Sequence, residues 1–156
     1  MNEYFIKIVD ALGLAHMVRN GDKNEAPVEF SHRARNQCDR FSKCAGFLLY
    51  EKYRQYEGVV GSKCIFAIGH IKIPIKIEPS NCRVEGKDFP IEVMTIIDKT
   101  IPANQHHHGL SIQEINKICQ DLNFRPRQKL GGLYPISKIQ FDVLGAELNH
   151  RINNIR

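Results

Sequence analysis

Tyr50, Tyr53 and Tyr56 are interleaved with Lys52 and Arg54 within seven positions of this chain. Aromatic rings, phenolic hydroxyls and fixed cations at this density can stack on nucleobases, donate hydrogen bonds to phosphates and neutralise a phosphodiester backbone. On a strand, Tyr50, Lys52, Arg54 and Tyr56 share one face and Tyr53 takes the other. His70, Lys72 and Lys76, on the polar side of the stretch that follows, extend the same basic surface. Each group also has a plainer reading: tyrosines packed over lysine stems on an exposed strand, and lysines that blunt a sheet edge.

Other chemistry is poorly supported by spacing. His106-His107-His108 is a run of metal-ligand types, but consecutive histidines on a loop rarely converge on one ion, and a solvated loop explains them better. Glu78, Asp88, Glu92, Asp98 and Lys99 suggest the acids and lysine of a metal-dependent nuclease, yet no second acid falls at a persuasive distance from Glu92. Neither a glycine-framed serine nor a placed histidine marks a hydrolase. The chain is therefore read as non-catalytic, with no metal and no cofactor.

The elements that must position the tyrosines follow from periodicity. Phe5, Ile8, Val9, Leu12, Ala15 and Met17 lie near helical spacing, which predicts a helix over 3–18. Asn20 to Asn24 form a polar turn, and Pro27 suits the start of a second helix carrying Phe30, Ala34, Cys38, Phe41 and Ala45. From Gly46 onward, Phe47-Leu48-Leu49-Tyr50 and the later valines read as strands. Ile71, Ile73, Ile75 and Ile77 alternate with Lys72, Pro74, Lys76 and Glu78, and Pro74 restricts that strand to an edge or a bulge. Short strands are expected at Cys82 to Val84 and at Ile91 to Ile97. Ser111 and Glu114 form a capping-box pair ahead of the helical stripe Ile112, Ile115, Ile118, Cys119 and Leu122. Ile139, Phe141 and Val143 alternate like a last strand, and Leu144 to Ile155 also fits a helix.

The middle of the chain resembles a known family. The proline-bounded isoleucine strand from Lys72, the Cys82-Arg83-Val84 strand, the turn at Glu85-Gly86-Lys87-Asp88 and the Phe89-Pro90-Ile91-Glu92-Val93 segment are together similar to the second half of a PAZ domain, the RNA 3′-end-binding module of Argonaute proteins. Phe41 to Leu48 resembles the helix-to-strand passage that opens such a domain, with Gly46 at the break. A PAZ domain normally inserts a hairpin and a short helix as one wall of its cleft. If this domain opens at Gly46, only Gly61 to His70 remain for that insert; a second register takes Tyr50 to Tyr53 as its cap. The resemblance implies an α+β fold, with a small, twisted, barrel-like PAZ/OB-like sheet flanked by N-terminal and C-terminal helices. It divides the chain into linker-type helices (1–45), a PAZ-like β unit (46–100) and a C-terminal helix and strand (101–156), with Phe89 closing the core. It also implies binding of the 3′ end of a single-stranded small guide RNA in RNA silencing, with other silencing-complex proteins as further partners. A PAZ-like protein-interaction module without RNA binding is the alternative, and a small metal-dependent nuclease is the third reading.

Composition sets the outer limits. With 156 residues, 42% of them hydrophobic and 25% charged, the chain suits one ordinary globular core. Glu3, Lys7 and Asp10 interrupt the apolar stretch that a signal peptide would need, and no run is long enough for a membrane. The five cysteines lack paired spacing and are read as reduced thiols acting as small buried hydrophobes, in an intracellular protein of cytoplasm or nucleus. A net charge of +5 favours polyanions as partners and decides nothing alone.

Overall fold

A computed structural model describes residues 2–19, 28–30, 32–53, 55–56, 59–71, 84–85, 91–96, 108–127 and 130–155. Its centre is a six-stranded sheet. Strands β1 (Tyr4–Val9), β3 (Gly46–Glu51), β6 (Cys64–Ile71), β8 (Ile91–Thr95) and β10 (Leu133–Ile136) run in the order β10-β1-β3-β6-β8, and β9 (Leu110–Ser111) pairs with the start of β6. β1 and β3 are parallel, Ile6 facing Leu48 and Val9 facing Glu51; the other pairs are antiparallel. Two small pairs stand apart: β2 (Glu29–Phe30) with β7 (Val84–Glu85), and β4 (Gln55–Tyr56) with β5 (Val59–Val60).

The parallel pair requires a crossover, which α1 (Leu12–Arg19) and α2 (Arg35–Phe41) supply. Phe47 of β3 meets Phe41 of α2 with ring centroids 4.9 Å apart, and Phe41 meets Phe30 at 5.5 Å. Tyr4 points the opposite way and meets Phe141 of α4 (Lys138–Ile155) at 4.8 Å. Helices thus cover both faces, and the strands between them carry apolar side chains on both sides. This explains the first difference from expectation. Residues 4–9 form a strand, because Phe5 packs toward α2 and Ile6 toward α4 and both are fully buried. Two-sided burial removes the alternation that identifies a strand, and the remaining apolar run mimics a helix. Only Leu12–Arg19 is helical.

The C-terminal end differs in the opposite sense. Ile139, Phe141 and Val143 belong to α4, whose contact stripe is Leu144, Leu148 and Ile152, all buried at helical spacing. Ser137 and Gln140 cap it reciprocally: the Ser137 amide donates to Gln140 Oε1 at 2.9 Å, and the Gln140 amide donates to Ser137 Oγ at 3.1 Å. The last strand is instead Leu133–Ile136, an edge where Pro135 is tolerated. The expected capping box of α3 (Ile112–Ile118) is present, with Ser111 and Glu114 bonded both ways.

The fold is α+β, as expected. The sheet is open among the described residues, with β10 and β8 at its ends, where a barrel-like one was expected. It also draws strands from 1–45, 46–100 and 101–156 alike, so those spans share one core. Ile91–Thr95 is a strand as read, and Val84–Glu85 is another. Cys38, Cys44, Cys64 and Cys119 are buried free thiols. Cys82, Phe89 and the isoleucine alternation beyond Ile71 lie outside the described residues.

Arg151 ties the two C-terminal helices. It donates to the Gly109 carbonyl at 2.9 Å, to Glu147 at 3.1 Å and to Glu114. The Arg151 hydrogen bond, opposed by partial burial and helped by Ser111, holds the Glu114 carboxyl down at about 2. A folded-state value below the usual 4.5 gives stability that is complete above pH 4.5 and is lost as pH falls through about 2. Glu114→Gln keeps an acceptor for the Ser111 amide and loses the ion pair, whose side chains are 25% and 39% exposed. We expect a loss of about 1 kcal/mol in urea denaturation at pH 7, and a gap to the parent chain that narrows steadily as pH is lowered from 4.5.

Candidate functional site

Because β1 and β3 are parallel, they end side by side, and the Lys52 amide donates to the Val9 carbonyl at 3.1 Å. Loops beyond the carboxyl ends of parallel strands are a common place for ligands. Here Asp10 leads into α1, and Lys52 leads into the β4–β5 hairpin, whose returning arm ends at Lys63.

Glu51 fixes this corner. Its side chain, on the Phe47 face of β3, is 1% exposed, and its carboxylate accepts from the Leu14 amide in the first turn of α1 at 2.5 Å and from the Ser62 amide at 2.7 Å. Ser62 Oγ accepts in turn from the Cys64 thiol at 3.0 Å. Burial pushes the Glu51 carboxyl up to about 7, against the two amides, which pull it down. Gly61 completes the closure, since a Cβ there would run into the Lys52 carbonyl oxygen.

On this base, Lys52 Nζ pairs with Asp10 Oδ1 at 3.1 Å, the side chains being 42% and 59% exposed. Tyr53 is 57% exposed, an unusual position for a large aromatic residue, and the Lys63 ammonium sits 4.5 Å from its ring centroid. Lys63 itself has a left-handed backbone, φ 55°, where the chain turns back into β6.

The sequence-predicted residues separate accordingly. Lys52 and Tyr53 are brought together at the corner. Tyr50 is not on the surface: it is 1% exposed and meets Phe124 edge-on at 5.3 Å, because β3 is an interior strand and Tyr50 lies on its α4 side. It therefore cannot contact a ligand at the corner. β3 also ends at Glu51, so Lys52 lies past the strand that carries Tyr50, and Tyr56 belongs to a different strand. Tyr56 lies in β4, with its backbone opposite Val59. His70 sits at the other end of β6, roughly 20 Å from Cys64 at about 3.3 Å per residue, where it faces Glu92 at 3.6 Å. It does not join the corner, and Glu92 is engaged there rather than in an acidic cluster. Arg54, Lys72, Lys76, His106 and His107 lie outside the described residues. His108 is exposed, and the described residues contain no group of three histidine, cysteine or acidic side chains able to hold a metal ion.

Sequence reasoning missed Asp10, Glu51, Lys63 and Lys7. Two of them carried a signal: Glu51 is a lone acid closing an apolar run, and Lys7 is a cation inside another. Lys7 is 4% exposed, donates to the Gly131 carbonyl and stands 4.1 Å from the Phe30 ring centroid. Burial pulls its ammonium down to about 8, with Asp10 opposing and Lys52 adding to the shift.

No family model, curated protein or solved structure gives a significant match to the chain. No helix among the described residues is long and apolar enough to cross a membrane.

Glu51→Gln tests the corner. The amide oxygen still accepts one N–H, while its NH2 faces the other as donor against donor. An orphaned buried amide costs about 1–3 kcal/mol. A folded-state value raised from 4.5 to about 7 makes this group's contribution largest below pH 4.5 and removes it as pH rises through about 7. Urea denaturation is expected to show the full gap between parent and variant at pH 4 and a smaller one at pH 8.

Proposed function

We propose that the chain binds single-stranded RNA without catalysing a reaction on it, through the corner built on Lys52, Tyr53 and Lys63. The observation that carries this reading is the Tyr53 ring, held exposed beneath the Lys63 ammonium on a hairpin base anchored by Glu51. A base stacked on such a ring gains contact at small entropic cost, and the adjacent lysines meet the flanking phosphates. The net charge of +5 adds a long-range attraction of the right sign. The finer form, a preference for a free 3′ end as in the PAZ domains that residues 72–100 resemble, is part of the proposal and rests on that resemblance.

One observation favours a second reading, a protein-interaction module. Ile139 and Val143, four residues apart on α4, are 76% and 42% exposed and form a small apolar stripe.

Fluorescence polarisation with a labelled RNA octamer separates the two. Tyr53→Ala is expected to weaken binding about fivefold to a hundredfold, and Lys63→Ala to lower the slope of affinity against salt by about one phosphate contact. The same RNA carrying a 3′ block measures end preference. Retention of full affinity by both variants, or loss of affinity only in Ile139→Ser with Val143→Ser, would remove the corner as the RNA site.

A further inference from the structure

Asp10 is an awkward residue in a site for phosphates alone. Its carboxylate lies at the corner, is more than half exposed and is positioned by the end of β1 and by the turn in which the Gly13 amide donates to the Asp10 carbonyl at 2.9 Å. It repels a phosphodiester and occupies Lys52, the nearest cation. Resting on the RNA reading of this corner, we infer that Asp10 reads a base edge, and that the preferred base is guanine.

An ionised carboxylate is acceptor-only. The ligand that opens the Asp10–Lys52 pair must therefore offer an anion to Lys52 and N–H donors to Asp10 together, and a nucleotide does so with its phosphate and its base. A half-exposed ion pair is cheap to exchange for such contacts. Among the bases, guanine presents two adjacent donors on its Watson–Crick edge, the imino N1–H and the amino group at C2, matching the two carboxylate oxygens. Adenine and cytosine offer one amino group next to an acceptor that faces the carboxylate unfavourably. Uracil offers a single imino N–H between two carbonyls. Tyr53, next to Lys52 in sequence, supplies the face on which that base or its neighbour stacks, and stacking alone has little base preference.

The test uses the whole chain and labelled uridine octamers carrying one central guanosine, inosine, adenosine or cytidine, with the all-uridine strand as reference. Inosine lacks only the amino group at C2. The expected result is guanosine tightest, by about fivefold or more over inosine, with Asp10→Asn flattening the series and binding all-uridine RNA at least as well as the parent. Lys52→Gln keeps the ranking with a shallower salt slope. Thermal melting of each variant confirms that it is folded. Equal affinity for guanosine and inosine in the parent, or a ranking that survives in Asp10→Asn, overturns the inference while leaving RNA binding in place. Failure of every octamer to bind overturns the RNA reading and this inference with it.

Discussion

The corner at the ends of the parallel strands depends on one buried acceptor. Helix α1 begins with amide donors that have no partner in the helix, and the hairpin returns with another at Ser62. The Glu51 carboxylate takes one from each, and so joins β3, α1 and the hairpin base in a single small network. Burial outweighs the hydrogen bonds. Burying a carboxylate costs several kcal/mol, while each hydrogen bond to a charged group returns about 1.5–3 kcal/mol. A carboxyl whose protonated and ionised forms are close in free energy near neutrality, at about 7, is the consequence. The backbone pairing of Glu51 with Cys64 sets the separation of Lys52 and Lys63, and the Glu51 carboxylate braces it from the side-chain side.

A second buried charge follows from the same topology. With β1 covered on both faces, its inward polar position at Lys7 has no route to water, and its ammonium must be met inside. The Gly131 carbonyl and the Phe30 ring do this. Gly131 reaches that place with φ at 70°, a backbone conformation that glycine tolerates and other residues rarely adopt. The ammonium keeps enough support to remain mostly charged at neutral pH, since burial lowers it only to about 8. Lys7 and Glu51 therefore lie on the same face of adjacent strands as opposite charges, with Asp10 and Lys52 beyond them at the rim.

How far the sequence could be read depended on whether the information was local. The α3 capping box was legible because Ser111 and Glu114 contact each other three residues apart. The start of β3 at Gly46 was legible from its aromatic and branched run, and Gly46 is needed where the Phe141 ring packs on the strand. The α4 cap, Ser137 with Gln140, had the same local form, but the alternation of Ile139, Phe141 and Val143 drew the reading toward a strand. Tyr50 was misplaced for a different reason. Whether a tyrosine on a strand faces a ligand or a core depends on which helix covers that face, here α4 with Phe124 brought in by the Asn116 side chain, which bonds both its amide and its carbonyl. That contact joins residues more than 70 positions apart in sequence, and no local pattern encodes it.

The corner itself lay between these cases. Lys52 and Tyr53 stood out as a basic and aromatic pair, but their neighbours in space, Asp10 and Lys63, come from β1 and from the far arm of the hairpin. Strand-face alternation grouped Tyr53 away from Lys52, whereas the break at Gly61 and Lys52 ends the strand and places both on one rim. An exposed ring capped by one ammonium, and a carboxylate paired with a second, do little for the core, since each of these groups is substantially in solvent. Exposed ion pairs and cation–π contacts contribute little to stability. A rim so weakly tied to the core, on a base so tightly tied by Glu51, has the mechanics of a surface that exchanges its internal contacts for those of a ligand.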